Sequence, residues 1–424
     1  MLRLWYLIVL ILWINNLQTP IAASPMFDYI TTVLKEDLPT KASRKEKAAA
    51  VFELEQNSGQ LYPQINLRGQ SGFAASPESS NNNNNLGLFL NQVIFDKSKS
   101  TYLSLSESLL AEKELAIRIK QEQTILEAGL IFINYVEALK RERISVEHAL
   151  RSLDQRKFVK DQLTGGGATQ IDLQNVEIAI KSLELNQLNY KAARRLAALA
   201  LLQRSRNKAQ IPEFQSLPQF NFPLVLMPPD QAKKYLEKKP DISLIIARIK
   251  SLDAQIRFSE AKKFPILGFE ASLETSGVEA SDNVASLKLS ASWNLYDGGT
   301  QRAENAGLIE QKKSLALTYR HLFETYYGRY RETLNRYEAS LASFKLSREL
   351  KGHYKEFLVQ KSIQYRGGLV TIENILGAQS NLFDIEQQLL GAEIAMTKAT
   401  WELMGHLGLL QAIGLKALFI PPTE

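Results

Sequence analysis

The 424-residue chain is 45% hydrophobic and 23% charged, a balance that excludes a disordered polymer. Its net charge of +6 is spread over 51 basic and 45 acidic residues, mixed on stretches such as Lys140-Arg141-Glu142-Arg143, which reads as a solvated helical surface and not as a nucleic-acid patch. With no cysteine the chain has no disulfide, no thiolate metal site and no thiol to carry an N-terminal lipid.

Arg3, the apolar run Leu4 to Ile14 and the small residues Ala22-Ala23-Ser24 read as a secretory signal peptide over residues 1–23. The run is short for a membrane span, and no later stretch is long and apolar enough to be a transmembrane helix. An exported chain without a helical anchor is therefore expected.

The rest of the chain says the same thing twice. A first repeat is expected over residues 24–230, with a short helix over about 40–61, strands over about 62–73 and 86–95, and helices over about 98–163 and 169–204. A second is expected over 231–408, with a short helix over about 241–263, strands over about 265–276 and 285–296, and helices over about 300–365 and 371–407. The Pro-rich stretch Pro212 to Pro229 joins them, and residues 409–424 form a tail. Tyr62-Pro63-Gln64-Ile65 returns as Phe264-Pro265-Ile266-Leu267, Phe95-Asp96 as Tyr296-Asp297, and Gly166 to Thr169 as Gly368 to Thr371. Such duplication suggests a structure closed by rotational repetition.

The strands alternate with period two. Leu287, Leu289, Ala291, Trp293 and Leu295 face one way; Ser286, Lys288, Ser290, Ser292 and Asn294 face the other. Leu267, Phe269, Ala271 and Leu273 oppose Gly268, Glu270, Ser272 and Glu274, while Phe89 interrupts the pattern in the first repeat. Polar loops are expected over Ala74 to Asn85, with its five consecutive Asn, and over Gly277 to Asn283. Strands of about 10 residues with one apolar and one charged face fit a transmembrane β-barrel. Four strands cannot close one, so several copies must share it.

No proline interrupts Ser98 to Leu163 or Gln301 to Tyr365, runs that would each make roughly 100 Å of helix. In the last helix Ile375, Leu382, Leu389, Met396 and Leu403 lie seven apart, with Ala378, Ile385, Ala392 and Ala399 interleaved, a coiled-coil seam. The matching helix carries Leu173, Val176, Ile180, Leu183, Tyr190 and Ala197, broken by Gln187 and Arg194. Each short helix together with a return helix approaches the length of a long one, as the wall of a cylinder would require.

Lys239-Pro240-Asp241-Ile242 opening a helix, Phe264-Pro265 before a strand, Leu295-Tyr296-Asp297-Gly298-Gly299 at a strand exit, and a Gly-turn followed by Thr together resemble the TolC-like outer membrane efflux proteins over nearly the whole mature chain. The resemblance implies a duplicated α+β membrane protein: a coiled-coil α-helical tunnel plus a β-barrel of about 12 strands shared by a homotrimer. It implies a passive exit duct in the outer membrane of a Gram-negative bacterium. The partners would be outer membrane lipid, a periplasmic adaptor protein, and an inner membrane pump or ABC transporter. The alternative is a periplasmic coiled-coil adaptor, which also combines strands with a helical hairpin but has only one.

Gly166, Thr169, Gly368 and Thr371 would form the two hairpin turns at the periplasmic tip. Gly serves the turn and Thr the next N-cap, so turn chemistry explains them; adaptor docking is what the resemblance adds. Family members place carboxylates just inside the tip. Asp172 stands six after Gly166, whereas the equivalent position in the second repeat is Asn374, with Gly377 beyond. A ring of Asp172 would concentrate cations in a pore, or Asp172 is a plain solvated residue near an N-cap. Tyr365 would serve a closed tip by hydrogen bonding or by packing. His148, His321, His353 and His406 lack metal-ligand spacing, and no phosphate loop or nucleophile elbow is visible, so no enzyme, cofactor or metal is expected.

Overall fold

The structure is a computed structural model that describes residues 25–76, 79–211, 227, 229–276 and 282–412. The signal-peptide assignment, nearly all of the Pro212 to Pro229 link and residues 413–424 of the tail lie outside it. In chain order the elements are α1 (Pro25–Glu36), α2 (Leu38–Gly59), β1 (Gln64–Ser76), β2 (Ser79–Phe95), α3 (Lys97–Thr164), α4 (Gln170–Arg204), α5 (Pro229–Glu237), α6 (Pro240–Ala261), β3 (Ile266–Ser276), β4 (Asp282–Ser292), α7 (Thr300–Arg366), α8 (Ile372–His406) and α9 (Leu409–Ala412). The duplication is close to residue-perfect in length: α2 and α6 have 22 residues each, α4 and α8 have 35 each, and α3 and α7 have 68 and 67.

The chain divides into two compact units. One is Pro39–Lys120 with Glu237–Glu324; the other is Gln121–Leu236 and Thr325–Glu424 with the chain up to Leu38. The first holds the sheet and the short helices. Asn57 Nδ2 donates to Ser106 Oγ at 2.8 Å, binding α2 to α3, and Lys312 Nζ reaches Asp253 at 2.7 Å, binding α6 to α7. Pro240 sits in the first turn of α6, where its missing N–H costs no hydrogen bond.

The four strands form one antiparallel sheet in the order β1-β2-β3-β4, so the two repeats meet at β2 and β3 while β1 and β4 are the edges. Two boundaries correct the sequence reading. Asn81 to Asn85, expected in a loop, lies within β2, and its backbone pairs with β1 from Gln70 to Ala74. A strand is paired through its backbone ladder, which the polar composition of this segment concealed. Conversely, Trp293 to Tyr296, expected in a strand, lie outside β4. The ladder stops at the pair Ile266↔Ser292 because Pro265 has no N–H to continue it. Trp293 Nε1 instead donates to the Lys263 carbonyl at 2.8 Å.

The second unit is built by α1, α3, α4, α7 and α8. The α8 seam is its spine: Ile375, Ala378, Leu382, Ile385, Ala392, Ala399 and Leu403 are all buried. Three helices were not anticipated: α1, α5 and the four-residue α9, which lies where a tail was expected. α1 buries Met26, Tyr29, Ile30 and Val33 at helical spacing, and Tyr29 donates from its hydroxyl to the Leu201 carbonyl at 3.3 Å. Beside it Arg204 pairs with the buried Asp37 at 2.9 Å. α5 buries Ala232 and Leu236.

Candidate functional site

The sheet has two chemically distinct faces. Opposed residues in an antiparallel pair share a face, so the register defines rows across all four strands. Leu67, Leu88, Leu273 and Ala285 make one apolar row, and Ile65, Leu90, Ala271 and Leu287 the next. Little in the chain covers them: Leu67 is 71% exposed and Leu287 76%. The other face carries Gln64, Asn91, Glu270 and Lys288 in one row and Asn66, Phe89, Ser272 and Ser286 in another. There Ser272 and Ser286 hydroxyls lie 2.7 Å apart and Lys288 approaches Glu270 at 3.9 Å. Phe89, the residue that broke the alternation, belongs to this polar face, where the Arg68 guanidinium lies over its ring at 4.7 Å. A charged face backed by a large exposed apolar one has the composition of a wet lumen wrapped by lipid.

The second feature is the pair of helical turns. Gly166 and Gly368 have φ of +78° and +71°, and each closes its helix in the same way. Gly166 N–H donates to the Leu163 carbonyl and Gly167 N–H to that of Gln162; Gly368 N–H donates to Tyr365 and Leu369 N–H to Gln364. These are two Schellman motifs with glycine in the left-handed position. The caps that follow differ. Thr169 and Asp172 form a reciprocal capping box: Asp172 Oδ2 accepts from Thr169 N–H at 2.7 Å and from its hydroxyl at 2.8 Å, and Thr169 Oγ1 accepts from Asp172 N–H. In the second turn Thr371 makes no side-chain cap, and Asn374 Nδ2 donates to Thr371 Oγ1 at 2.9 Å.

The structure draws these residues together. Val159, Val176, Ile180, Ile372 and Ile375 form a shared core beneath both turns, against which Leu173 and Tyr365 pack. Tyr365 meets Phe158 edge to face at 6.0 Å. Burial, and then the negative charge of Asp172, push the Tyr365 phenol up. Asn175 Nδ2 donates to Glu373 at 3.2 Å, linking α4 to α8.

Sequence reading missed a polar ladder behind this tip. From α3 to α8 run Glu137 to Lys398 at 2.8 Å, Arg141 to Gln387 at 2.9 Å and Lys140 to Glu393 at 3.5 Å. It ends at Glu386, whose Oε2 lies 2.6 Å from His148 Nε2 and whose Oε1 lies 3.0 Å from Lys351 Nζ on α7. Burial opposes ionisation of Glu386, yet the bonds from His148 and Lys351 hold its carboxyl down at about 2. A cavity of about 170 Å³ adjoins His148, lined also by Arg151, Ser152, Ser182, Phe383 and Asp384. Partners some 240 residues apart leave no local spacing signal. Among the described residues no cluster of three or more His, Asp or Glu side chains could hold a metal ion, and no helix is long and apolar enough to cross a membrane.

Long paired helices joined to a two-faced sheet define the architecture of a tunnel-and-barrel channel. Residues 232–409 match the family described as outer membrane efflux protein. Outer membrane protein TolC of Escherichia coli K12 is 23% identical over 407 residues, 89% of this chain and 81% of that one. Outer membrane protein OprJ of Pseudomonas aeruginosa is 27% identical over 310 residues, 68% of this chain and 62% of that one. The solved structure of CusC superposes with a TM-score of 0.80 at 16% identity, covering 93% of this chain and 92% of its own. The second repeat thus matches the outer membrane efflux protein family, and the chain as a whole is similar in sequence and fold to TolC-like outer membrane channels. The adaptor alternative falls with this match.

Proposed function

We propose that three copies of this outer membrane protein assemble into one channel-tunnel, the exit duct of an efflux or type I secretion system. The observation that carries this reading is the four-stranded sheet with an exposed apolar face and two free edges, β1 and β4. Unpaired edges are not tolerated in a bilayer, and three such sheets joined edge to edge make a barrel of about 12 strands. A second seam agrees. Ile171, Ile178, Leu185 and Leu199 fall at multiples of seven on α4 and are exposed in the single chain, a heptad stripe suited to a neighbouring helix.

Substrate enters from an inner membrane pump or ABC transporter through a periplasmic adaptor, which docks at the turns bearing Gly166, Thr169, Gly368 and Thr371. Asp172, Tyr365 and Asn374 stand where a closing constriction would form. Three Asp172 carboxylates brought together there would favour cations.

The deciding experiment is the mass of the detergent-extracted complex from purified outer membranes, with bound detergent subtracted. A trimer is expected. A water-soluble monomer would overturn the proposal.

A further inference from the structure

We propose that Lys97 and Lys263 hold the phosphate of an anionic phospholipid at the rim where the apolar face of the sheet gives way to the helices. The last row of that face is Phe95, Leu267 and Ala291, set by the β2–β3 and β3–β4 pairing. Trp293 follows Ala291 by two residues, and Lys97 follows Phe95 by two. Trp293 is 61% exposed and Phe95 42%. Aromatic side chains at the edge of a lipid-facing apolar surface mark the level of the headgroups. The site rests on the barrel reading above and adds the class of lipid that the barrel selects.

The rim is compact. Trp293 Nε1 donates to the Lys263 carbonyl at 2.8 Å, which satisfies the polar end of the indole and leaves its body for acyl chains. Lys97 Nζ lies 3.9 Å from the centre of the Phe264 ring, and Phe264 is the next residue after Lys263. The ring engages one side of the Lys97 ammonium, which has three donors. Neighbouring cations are already matched. Lys262 pairs with Glu304 at 3.2 Å, and Lys99 Nζ donates to the Gln60 carbonyl at 3.2 Å. Among the described residues, neither Lys97 nor Lys263 reaches a carboxylate at ion-pair distance. Asp297 attracts Lys263, but its two oxygens accept from the N–H groups of Gly299 and Gln301. Asp96 Oδ1 likewise accepts from the Ser98 N–H and hydroxyl.

A phosphate diester fits both halves of this rim. Its acyl chains lie along the apolar rows, and its charge balances two ammonium groups that the chain leaves unbalanced. That attraction is stronger beside a low-dielectric surface than in open water. A zwitterionic headgroup brings its own cation to the same place and gains less. The helices α3 and α7 leave the sheet at this end, so on the duct reading the lipid is a phospholipid of the periplasmic leaflet. The polar face of the sheet offers no equal, because there Lys288 already approaches Glu270 at 3.9 Å.

The chain carries its own reporter. Of its four tryptophans, Trp5 and Trp13 lie in the leader and Trp401 is fully buried, so Trp293 is the one that lipid reaches in the mature protein. The test is quenching of its fluorescence by lipids brominated on their acyl chains. The full mature protein is reconstituted into vesicles of phosphatidylcholine and phosphatidylglycerol mixed in varied ratio, with one or the other brominated. Wild type should prefer phosphatidylglycerol at this position by roughly fivefold or more, the order of attraction that one surface lysine supplies. Lys97→Gln combined with Lys263→Gln should bring the ratio to about one, while the matching pair of arginine substitutions should retain it. Lys288→Gln removes a cation from the opposite face and should leave the ratio unchanged. Equal quenching by both lipids in wild type, a preference that survives the paired glutamines, or one lost with the paired arginines or with Lys288→Gln would each overturn the headgroup site and leave the barrel standing. No quenching by either lipid would overturn the barrel reading and the site with it.

Discussion

Gly129 lies against Trp401 so closely that a Cβ built on it would fall 2.1 Å from the indole Nε1. Trp401 is fully buried and donates to the Leu126 carbonyl at 3.0 Å, so it has no room to retreat. Gly129→Ala gains about 1 kcal/mol of helix propensity, but overpacking of ~1–3 kcal/mol or more outweighs it. Thermal unfolding followed by circular dichroism should show a lower midpoint and an altered tryptophan emission. Gly307, with nothing within 4 Å of its built Cβ, is the control. There the same change should raise stability by ~0.5–1 kcal/mol.

The two turns give opposite responses to exchanged side chains. Asp172→Ala removes the capping box of α4 and should cost about 1 kcal/mol, visible as faster exchange in the first turn. Asn374→Asp should create the missing box at Thr371 and gain ~0.5–1 kcal/mol.

Asp172→Asn keeps the side-chain shape and removes only its charge. In the proposed trimer it should lower cation selectivity and weaken divalent block in bilayer recordings. Unchanged selectivity would return Asp172 to the role of a helix cap alone.

Glu386 predicts an acid-sensitive share of stability. Its carboxyl lies at about 2 against an ordinary 4.5, so its folded value is depressed. The contribution is complete above about pH 4.5, and it is lost as pH falls toward 2. A shift of that size corresponds to something on the order of 3 kcal/mol. Glu386→Gln should therefore be less stable than wild type at neutral pH, and the gap should close when melting is repeated near pH 2.

Leu287 and Lys288 are neighbours on opposite faces of β4, and charge should act on them differently. Leu287→Lys places a cation on the apolar face at a cost of ~2–4 kcal/mol near the membrane midplane. It should reduce the folded protein recovered from outer membranes. Lys288→Gln should insert normally and alter only conductance or ion preference.

The parts of the fold that were legible in the sequence are those with a short repeat. Period two put Leu287 and Leu289 on one face and Lys288 on the other, and the strand register agrees. Asp96 and Asp297, noticed as a repeated pair, do similar work: Asp96 Oδ1 accepts from Ser98 N–H, and Asp297 accepts from Gly299 and Gln301 N–H at the start of the next helix. Asn81 to Asn85 misled because asparagine is depleted in strands and favoured in turns. The α1 helix carries Met26, Tyr29, Ile30 and Val33 at plain helical spacing, but it follows directly on the apolar leader, whose signal masks it. At the tip, Gly166 and Thr169 announced their turn and cap, but the bond between Thr169 and Asp172 competes with any free role for that carboxylate. The His148–Glu386 contact belongs to a different class of information. It joins distant helices through packing, and neither residue type nor interval foretold it.

The order β1-β2-β3-β4 has a genetic corollary. Because the two repeats meet in the middle of the sheet, every copy in the proposed trimer would offer one β1 edge and one β4 edge, and the ring would close only when each β1 found another copy's β4. A chain with one spoiled edge still joins by its sound one and then leaves the circle open. Substitutions on β1 or β4 that block pairing should therefore act dominantly, poisoning assemblies that contain normal copies, whereas lesions confined to the β2–β3 seam should damage only the chain that carries them.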